Sequence, residues 1–289
     1  MAPKRVTILG VGLLGGSIGL ALKSAVSGCH IVGYGHREST LEKAKEVGAI
    51  DEGSTDPAKA VGGSDVVILC TPVLTFGALL SQIGPSLTAG AVVTDVGSTK
   101  RSVVAAAEAV LPKTASFVGS HPIAGSDKRG VEFARTDLFK HALCILTPTQ
   151  NTLQSSIEVI QNLWKLVGMR VTSMTPDAHD QLLADVSHLP HVTAAALVAM
   201  QADAGLDLCG KGFLDTTRVA GGDGALWRDI LIDNRDNVRA SVLRLRGQFD
   251  ELLKLMEGAD TEPLRRWLDA AAARRGELMQ RKLREISPD

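Results

Sequence analysis

At 289 residues the chain is long enough for two domains and a sizeable core. Hydrophobic residues make up 45 % and charged residues 22 %, and the formal net charge is −1, which excludes the strongly basic balance that nucleic acid or an anionic membrane surface demands. With aromatics at 3 % there are too few rings for base-stacking platforms, and no apolar run approaches the ~20 residues of a membrane span.

Met1-Ala-Pro-Lys-Arg5 leads directly into a β-branched apolar run, Val6 to Leu9, with no room for a signal peptide. Gly10-Val-Gly12-Leu13-Leu14-Gly15 follows, and a helical apolar pattern continues through Ile18, Leu20, Ala21, Leu22 and Val26. This is G-x-G-x-x-G between a strand and a helix, the context in which it holds a dinucleotide pyrophosphate. Gly10 permits the tight turn, Gly12 lets backbone approach the phosphates, and Gly15 lets the helix pack close to the strand. The helix start then presents free N–H groups and a positive dipole end. Gly10, Gly12, Leu13, Leu14 and Gly15 are therefore candidate cofactor contacts.

Cys29 to Tyr34 reads as the second strand, and its tip selects the cofactor. An acid there binds the ribose diol of NAD, whereas an Arg nearby accommodates the 2′-phosphate of NADP. The chain has Gly35-His36-Arg37-Glu38-Ser39-Thr40, with no carboxylate at the tip and two cationic or potentially cationic side chains after it. Gly35, His36, Arg37, Ser39 and Thr40 are assigned to the adenosine end, and NADP is expected over NAD, with Glu38 the group that would favour NAD.

A helix is expected from Glu42 to Val47, ending at Gly48. Asp65 to Cys70 is a continuous apolar run, as in a parallel strand buried on both faces, and Thr71-Pro72 ends it on the ligand-binding edge. A helix (74–83), a strand (91–95), a helix through Val110 and a strand (116–119) follow, then strands at 143–146 and 169–172 around a helix from Thr152 to Val167. Strands and helices alternate, so the first half is an α/β domain of Rossmann type, doubly wound on a largely parallel sheet. Beyond Thr175-Pro176 no strand is expected. Residues 1–172 are assigned to the dinucleotide-binding domain and 173–289 to an all-helical substrate and dimerisation domain. Val238, Val242, Leu245, Phe249, Leu252 and Met256 repeat at four- and three-residue steps, a seam that packs either within the domain or against a second copy. A homodimer through this half is expected. Of the four cysteines, Cys29, Cys70 and Cys144 lie in or beside apolar runs, and none forms C-x-x-C with another; together with the absence of a leader this predicts a reducing, cytoplasmic setting.

A nicotinamide enzyme needs a base for the proton released as the hydride leaves, and histidine suits that task near neutral pH. His30 falls within a strand, His36 at the adenosine end, and His141 without a polar cluster. His121 follows a strand end on the ligand edge, in a loop shaped by Pro122 and Gly125. It is the candidate base, the alternative being a loop-capping histidine. His188 and His191 in Ser187-His-Leu-Pro-His191 share a helix face. They lack the spacing of a zinc site, so no metal is expected and a polar patch facing the cofactor is. Arg218, in a Gly- and Thr-rich stretch between helices, either forks onto a substrate carboxylate or pairs with Asp215 or Asp229.

Together these stretches resemble the prephenate/arogenate dehydrogenase family of tyrosine biosynthesis. The resemblance is carried by Gly10–Ser17, Asp95-Val-Gly-Ser-Thr-Lys100, Gly119-Ser-His-Pro-Ile-Ala-Gly125, Ser187–His191, Gly212-Phe-Leu-Asp-Thr-Thr-Arg218 and Trp227-Arg-Asp-Ile230, in the family's order from end to end. It implies that His121 is catalytic with Ser98 beside it, orienting the histidine or the substrate hydroxyl. It implies that His188, His191, Arg218 and Trp227 line the substrate site, with prephenate or arogenate as substrate. The chain has no chorismate mutase or regulatory segment, which corresponds to the monofunctional form. Many NAD-using members carry an acid where Gly35 stands. Two alternatives share the Gly-rich turn: a β-hydroxyacid dehydrogenase or imine reductase, which relies on a lysine in the helical domain, and a non-catalytic NADP sensor.

Overall fold

The computed structural model describes residues 2–126 and 128–286. The first half alternates strictly: β1 (Arg5–Leu9), α1 (Leu13–Ala25), β2 (His30–Tyr34), α2 (Glu38–Glu46), β3 (Glu52–Ser54), α3 (Pro57–Ala60), β4 (Val66–Leu69), α4 (Phe76–Ile83), β5 (Val92–Asp95), α5 (Arg101–Val110) and β6 (Ser116–Pro122). It closes with β7 (Leu143–Thr147), α6 (Gln154–Leu166) and β8 (Arg170–Ser173). The strands form one sheet in the order β3-β2-β1-β4-β5-β6-β7-β8, parallel except where β7 runs against β6.

The continuous apolar strands are buried on both faces because helices cover both. Val6 and Ile8 of β1, with Val66 and Ile68 of β4, pack beneath Ile18 and Leu22 of α1 and Trp164 of α6. Leu9, Val67 and Leu69 point the other way, toward Phe76 and Leu80 of α4 and Val104 and Ala107 of α5. Alternation of side chains along each strand thus divides one apolar run between two cores.

Two local departures from the sequence reading matter. Glu52-Gly-Ser54 is an extra edge strand paired to β2; it carries no apolar alternation because its partner, not its side chains, holds it. His121 lies within β6, opposite Ile145 of β7, rather than in a loop after the strand. Pairing to β7 carries β6 three residues past the expected end, so the ring is set by a strand and not by Pro122 and Gly125.

Beyond Ser173 every described element is helical: α7 (Pro176–Leu183), a π-helical turn (Ala184–His188), α8 (Leu189–Ala199), α9 (Asp203–Leu206), α10 (Lys211–Thr217), a 3₁₀ turn (Arg218–Gly221), α11 (Gly224–Asp233), α12 (Arg235–Glu257) and α13 (Glu262–Ile286). Arg218 is therefore at a helix end, not in an irregular loop. By length and hydropathy, 176–199 would suffice to cross a membrane, contrary to the expectation from apolar runs. It nevertheless carries His179, Asp180, His188 and His191, all buried in the protein. By contacts the chain divides after Val238 into two compact units. The second consists of α13 and most of α12, whose seam residues Val242, Phe249 and Met256 are exposed.

Candidate active site

The Gly-rich turn sits where strand order reverses, between β1 and β4. Gly10 has φ +108°, and a Cβ there would lie 2.8 Å from the Cys70 carbonyl carbon. At Gly15 a Cβ would lie 2.1 Å from the Gly10 oxygen, so only glycine lets α1 start this close to β1. Gly12, by contrast, faces open space and caps α1 without any side-chain hydrogen bond. The first-turn N–H groups, including those of Leu13 and Leu14, are left for an anion, and the residues fit a dinucleotide pyrophosphate. Thr71, partly buried, and Pro72, exposed, stand across the crevice at the end of β4.

At the tip of β2, Gly35 donates its N–H to the Ser54 carbonyl, and a Cβ on it would meet only Leu41 and Val11 at 3.4 Å or more. Space for a side chain exists where this chain has none. His36 and Arg37 are exposed, with His36 Nδ1 3.2 Å from the Tyr34 hydroxyl. Arg37 is the N-cap of α2 without a capping side chain, and Ser39 and Thr40 lie in the first turn.

The polar centre lies at the C-terminal ends of β5 and β6. Asp95 and Lys100 form a fully buried ion pair across the turn that holds Ser98, which is itself partly buried. Asp95 also accepts the Ser120 N–H at 3.0 Å, which ties this turn to β6. On the next residue, His121 Nδ1 is 2.9 Å from Nε2 of His179. His179 Nδ1 is 2.8 Å from Oδ1 of Asp180, and that carboxylate also accepts the backbone N–H groups of Lys100 and Arg101 at 2.7 and 2.9 Å. Burial alone would raise the Asp180 carboxyl, but these hydrogen bonds hold it below its usual value. Burial above all, with the Lys100 cation nearby, pushes His121 well below the ordinary histidine range, so the ring is neutral near pH 7. The partner that orients His121 is thus His179.

Asn234 extends the network. Its amide donates to the Asp180 carbonyl at 2.7 Å and lies 3.2 Å from His188 Nδ1. His188 is buried, and that burial lowers its pKa to about 4. Its Nε2 and the Nδ1 of His191 are buried with no hydrogen-bond partner among the described residues. The π-helical turn is what brings both histidines inward: it adds a residue between α7 and Pro190, so the helix continues through the proline without a break. His191 stacks on Trp227, with centroids 3.6 Å apart and planes at 10°, and His188 meets the same indole edge-on at 6.2 Å. Gly222 closes on this stack; a Cβ there would lie 2.3 Å from the indole nitrogen.

Arg218 is exposed, and both carboxylates offered as its partners are engaged elsewhere: Asp215 pairs with Lys211 and Asp229 with Arg228. The structure therefore gathers His121, His188, His191 and Trp227 and leaves the guanidinium of Arg218 without an ion pair among the described residues. The sequence reading passed over His179, Asp180 and Asn234. A His-Asp pair in the first turns of a helix carries no pattern of its own, and His179 stands 58 residues from its partner.

Two family models cover most of the chain: prephenate dehydrogenase, nucleotide-binding domain, over residues 18–173, and prephenate dehydrogenase, dimerization domain, over residues 175–270. The prephenate dehydrogenase of Bacillus subtilis is 36 % identical over 274 residues, 92 % of this chain and 74 % of that protein. Among solved structures, prephenate dehydrogenase from A. aeolicus in complex with hydroxyphenyl propionate and NAD+ superposes with a TM-score of 0.90 at 34 % identity, covering 96 % of this chain and 99 % of that one. The Synechocystis arogenate dehydrogenase gives 0.82 at 30 % identity, covering 95 % and 99 %.

Proposed function

The chain belongs to the prephenate dehydrogenase family, and from that premise we propose that it oxidatively decarboxylates prephenate or arogenate in tyrosine biosynthesis, with NADP preferred to NAD. The Gly-rich turn of Gly10, Gly12 and Gly15 would hold the dinucleotide, which would supply the hydride acceptor for C4 of the cyclohexadienol ring. The chain's own work is orientation and charge management. His121 takes the C4 hydroxyl proton on Nε2, and Ser98 orients that hydroxyl. Arg218 forks onto a substrate carboxylate. His188 and His191 offer ring nitrogens to its other polar groups, and Trp227 holds His191 in place. The ring carboxylate leaves as CO2, and aromatisation makes the step irreversible. The two buried, unpartnered histidine nitrogens support a site that receives a polar ligand, since buried polar atoms otherwise find partners.

The observation that carries the assignment is His121 on β6 at the ligand edge of the sheet, its Nδ1 2.9 Å from His179 Nε2. Its test is reduction of NADP and NAD with prephenate and with arogenate as substrates. His121→Asn is expected to lower kcat by about 10²–10⁴-fold, the range of a general base, with KM little changed. Near-wild-type activity in that variant removes His121 from the mechanism.

The open tip at Gly35, followed by His36, Arg37 and the first turn of α2 with Ser39 and Thr40, supports a 2′-phosphate, because donors flank a helix N-terminus there; Glu38, in the same first turn, is the group that would instead hold the ribose diol. We assign residues 1–172 to the nucleotide domain and 173–289 to the substrate and dimerisation domain. The exposed stripe on α12, with Leu182, Val186 and Ile232 also exposed on α7, the π-turn and α11, supports a homodimer. A cytoplasmic location follows from the biosynthetic role.

A further inference from the structure

His179 and Asp180 belong to none of the sequence motifs, yet they hold the one side chain on which the proposed chemistry turns. Hydrogen positions follow from the chain of contacts. Both oxygens of Asp180 accept backbone N–H groups, Oδ1 from Lys100 and Oδ2 from Arg101, so the carboxylate is an acceptor only. The hydrogen in its 2.8 Å contact with His179 therefore sits on His179 Nδ1. With its ring hydrogen on Nδ1, His179 presents a bare Nε2 as the acceptor. The atom 2.9 Å away, Nδ1 of His121, must be the donor. Neutral His121 with its hydrogen on Nδ1 keeps its lone pair on Nε2.

We propose that His179, backed by Asp180, is a positioning residue for catalysis: it fixes His121 in the Nδ1–H tautomer, leaving Nε2 as the base, and takes up the charge that the base acquires. This rests on His121 being the base. As the substrate O–H breaks, its electron pair remains on oxygen to form the carbonyl, and an N–H forms on His121 Nε2. The Nδ1 proton of His121 then shifts onto His179 Nε2. His121 returns to neutrality and the positive charge rests on His179, against the ionised Asp180. Lys100 and His188 also face this chain of rings. Lys100 is ion-paired with Asp95 and burial lowers the pKa of His188 to about 4, so among the described residues Asp180 is the carboxylate in contact with His179. The arrangement extends the logic of a carboxylate-oriented histidine by one imidazole.

The test has two arms. In the free enzyme, ¹⁵N NMR of the histidine rings at neutral pH is expected to show His121 protonated on Nδ1 and bare on Nε2. In kinetics, His179→Ala is expected to lower kcat about a hundredfold, as loss of a fixed orientation does, with KM and cofactor Kd within about threefold of wild type. His179→Gln places an amide oxygen where Nε2 was, and is expected to recover about tenfold of that loss, because it restores the tautomer without the proton acceptor. His121→Asn/His179→Ala is expected to be no slower than His121→Asn alone, as residues acting as one unit are not additive. A His121 protonated on Nε2, a His179→Ala enzyme with wild-type kcat, or additive losses in the double variant would each overturn the proposal. Full activity in His121→Asn would instead remove the base assignment, and the ring spectrum still decides the tautomer. Should His179→Ala fail to fold, the Gln variant and the spectrum of the native enzyme decide.

Discussion

Gly35→Asp tests the cofactor assignment most directly. The position has no positive φ and its Cβ would meet Leu41 at 3.4 Å, so the backbone tolerates the change and the new carboxylate lies at the tip of β2. At about 5 Å from a 2′-phosphate of charge near −2, an added unit charge costs roughly 1–2 kcal/mol at the dielectric of a wet surface. Drawing Arg37 or His36 away from the phosphate loses a hydrogen bond to a charged group, about 1.5–3 kcal/mol. The sum, about 2.5–5 kcal/mol, corresponds to a loss of roughly 10²-fold to several thousandfold in kcat/KM for NADP. The same carboxylate accepts the ribose diol of NAD, so NAD is expected to improve by about tenfold and the preference to invert. The assay is initial rates with each cofactor at saturating substrate, repeated in raised salt, which should weaken NADP more than NAD because the site is exposed. A tenfold preference of the unmodified enzyme for NAD at low salt would refute the assignment and point to Glu38 or a backbone group holding the diol. Equal losses for both cofactors in the variant would mean that the tip only packs.

Arg218→Ala should raise the substrate KM by one to three orders of magnitude and leave cofactor Kd unchanged, since no carboxylate among the described residues pairs with that guanidinium; an equal loss of cofactor affinity would make the residue structural. His188, with a folded pKa of about 4, binds a proton more readily in the unfolded chain, so stability is fully present above about pH 6.5 and is lost as pH falls toward 4, by up to about 3 kcal/mol. Thermal melts from pH 7 to 4 should show this, and a His188→Gln variant should flatten the curve. Because burial depresses His121, the acid limb of kcat should lie well below the ordinary histidine range; a limb within that range would show a solvated ring. Phe249→Asp, on the exposed stripe of α12, should give monomer in analytical ultracentrifugation, and an unchanged dimer would move the interface elsewhere.

Much of the fold was legible because it rests on short-range constraints. The Gly-rich turn admits no side chain at Gly10 or Gly15, and continuous apolar runs between helical patterns have few uses other than a sheet covered on both faces. His121, His188, His191 and Trp227 could be named as candidates because each sits in a dense local motif. Where the reading failed, it failed over partners distant in sequence. β3 exists because β2 has an edge to fill, and β6 runs through His121 because β7 pairs with it. His179 and Asp180 have no local signature. Only the return of α7 over the ends of β5 and β6 brings an imidazole to 2.9 Å of His121 and a carboxylate onto the Lys100 and Arg101 amides. The same holds for Arg218, whose freedom was decided when Lys211 and Arg228 took the neighbouring carboxylates. Periodicity and glycine placement are properties of neighbouring residues, and the sequence by itself determined what depends on them: two buried sheet faces and a phosphate-binding turn. Protonation and pairing depend on which groups meet across the packed interior, and that was decided only by the tertiary structure.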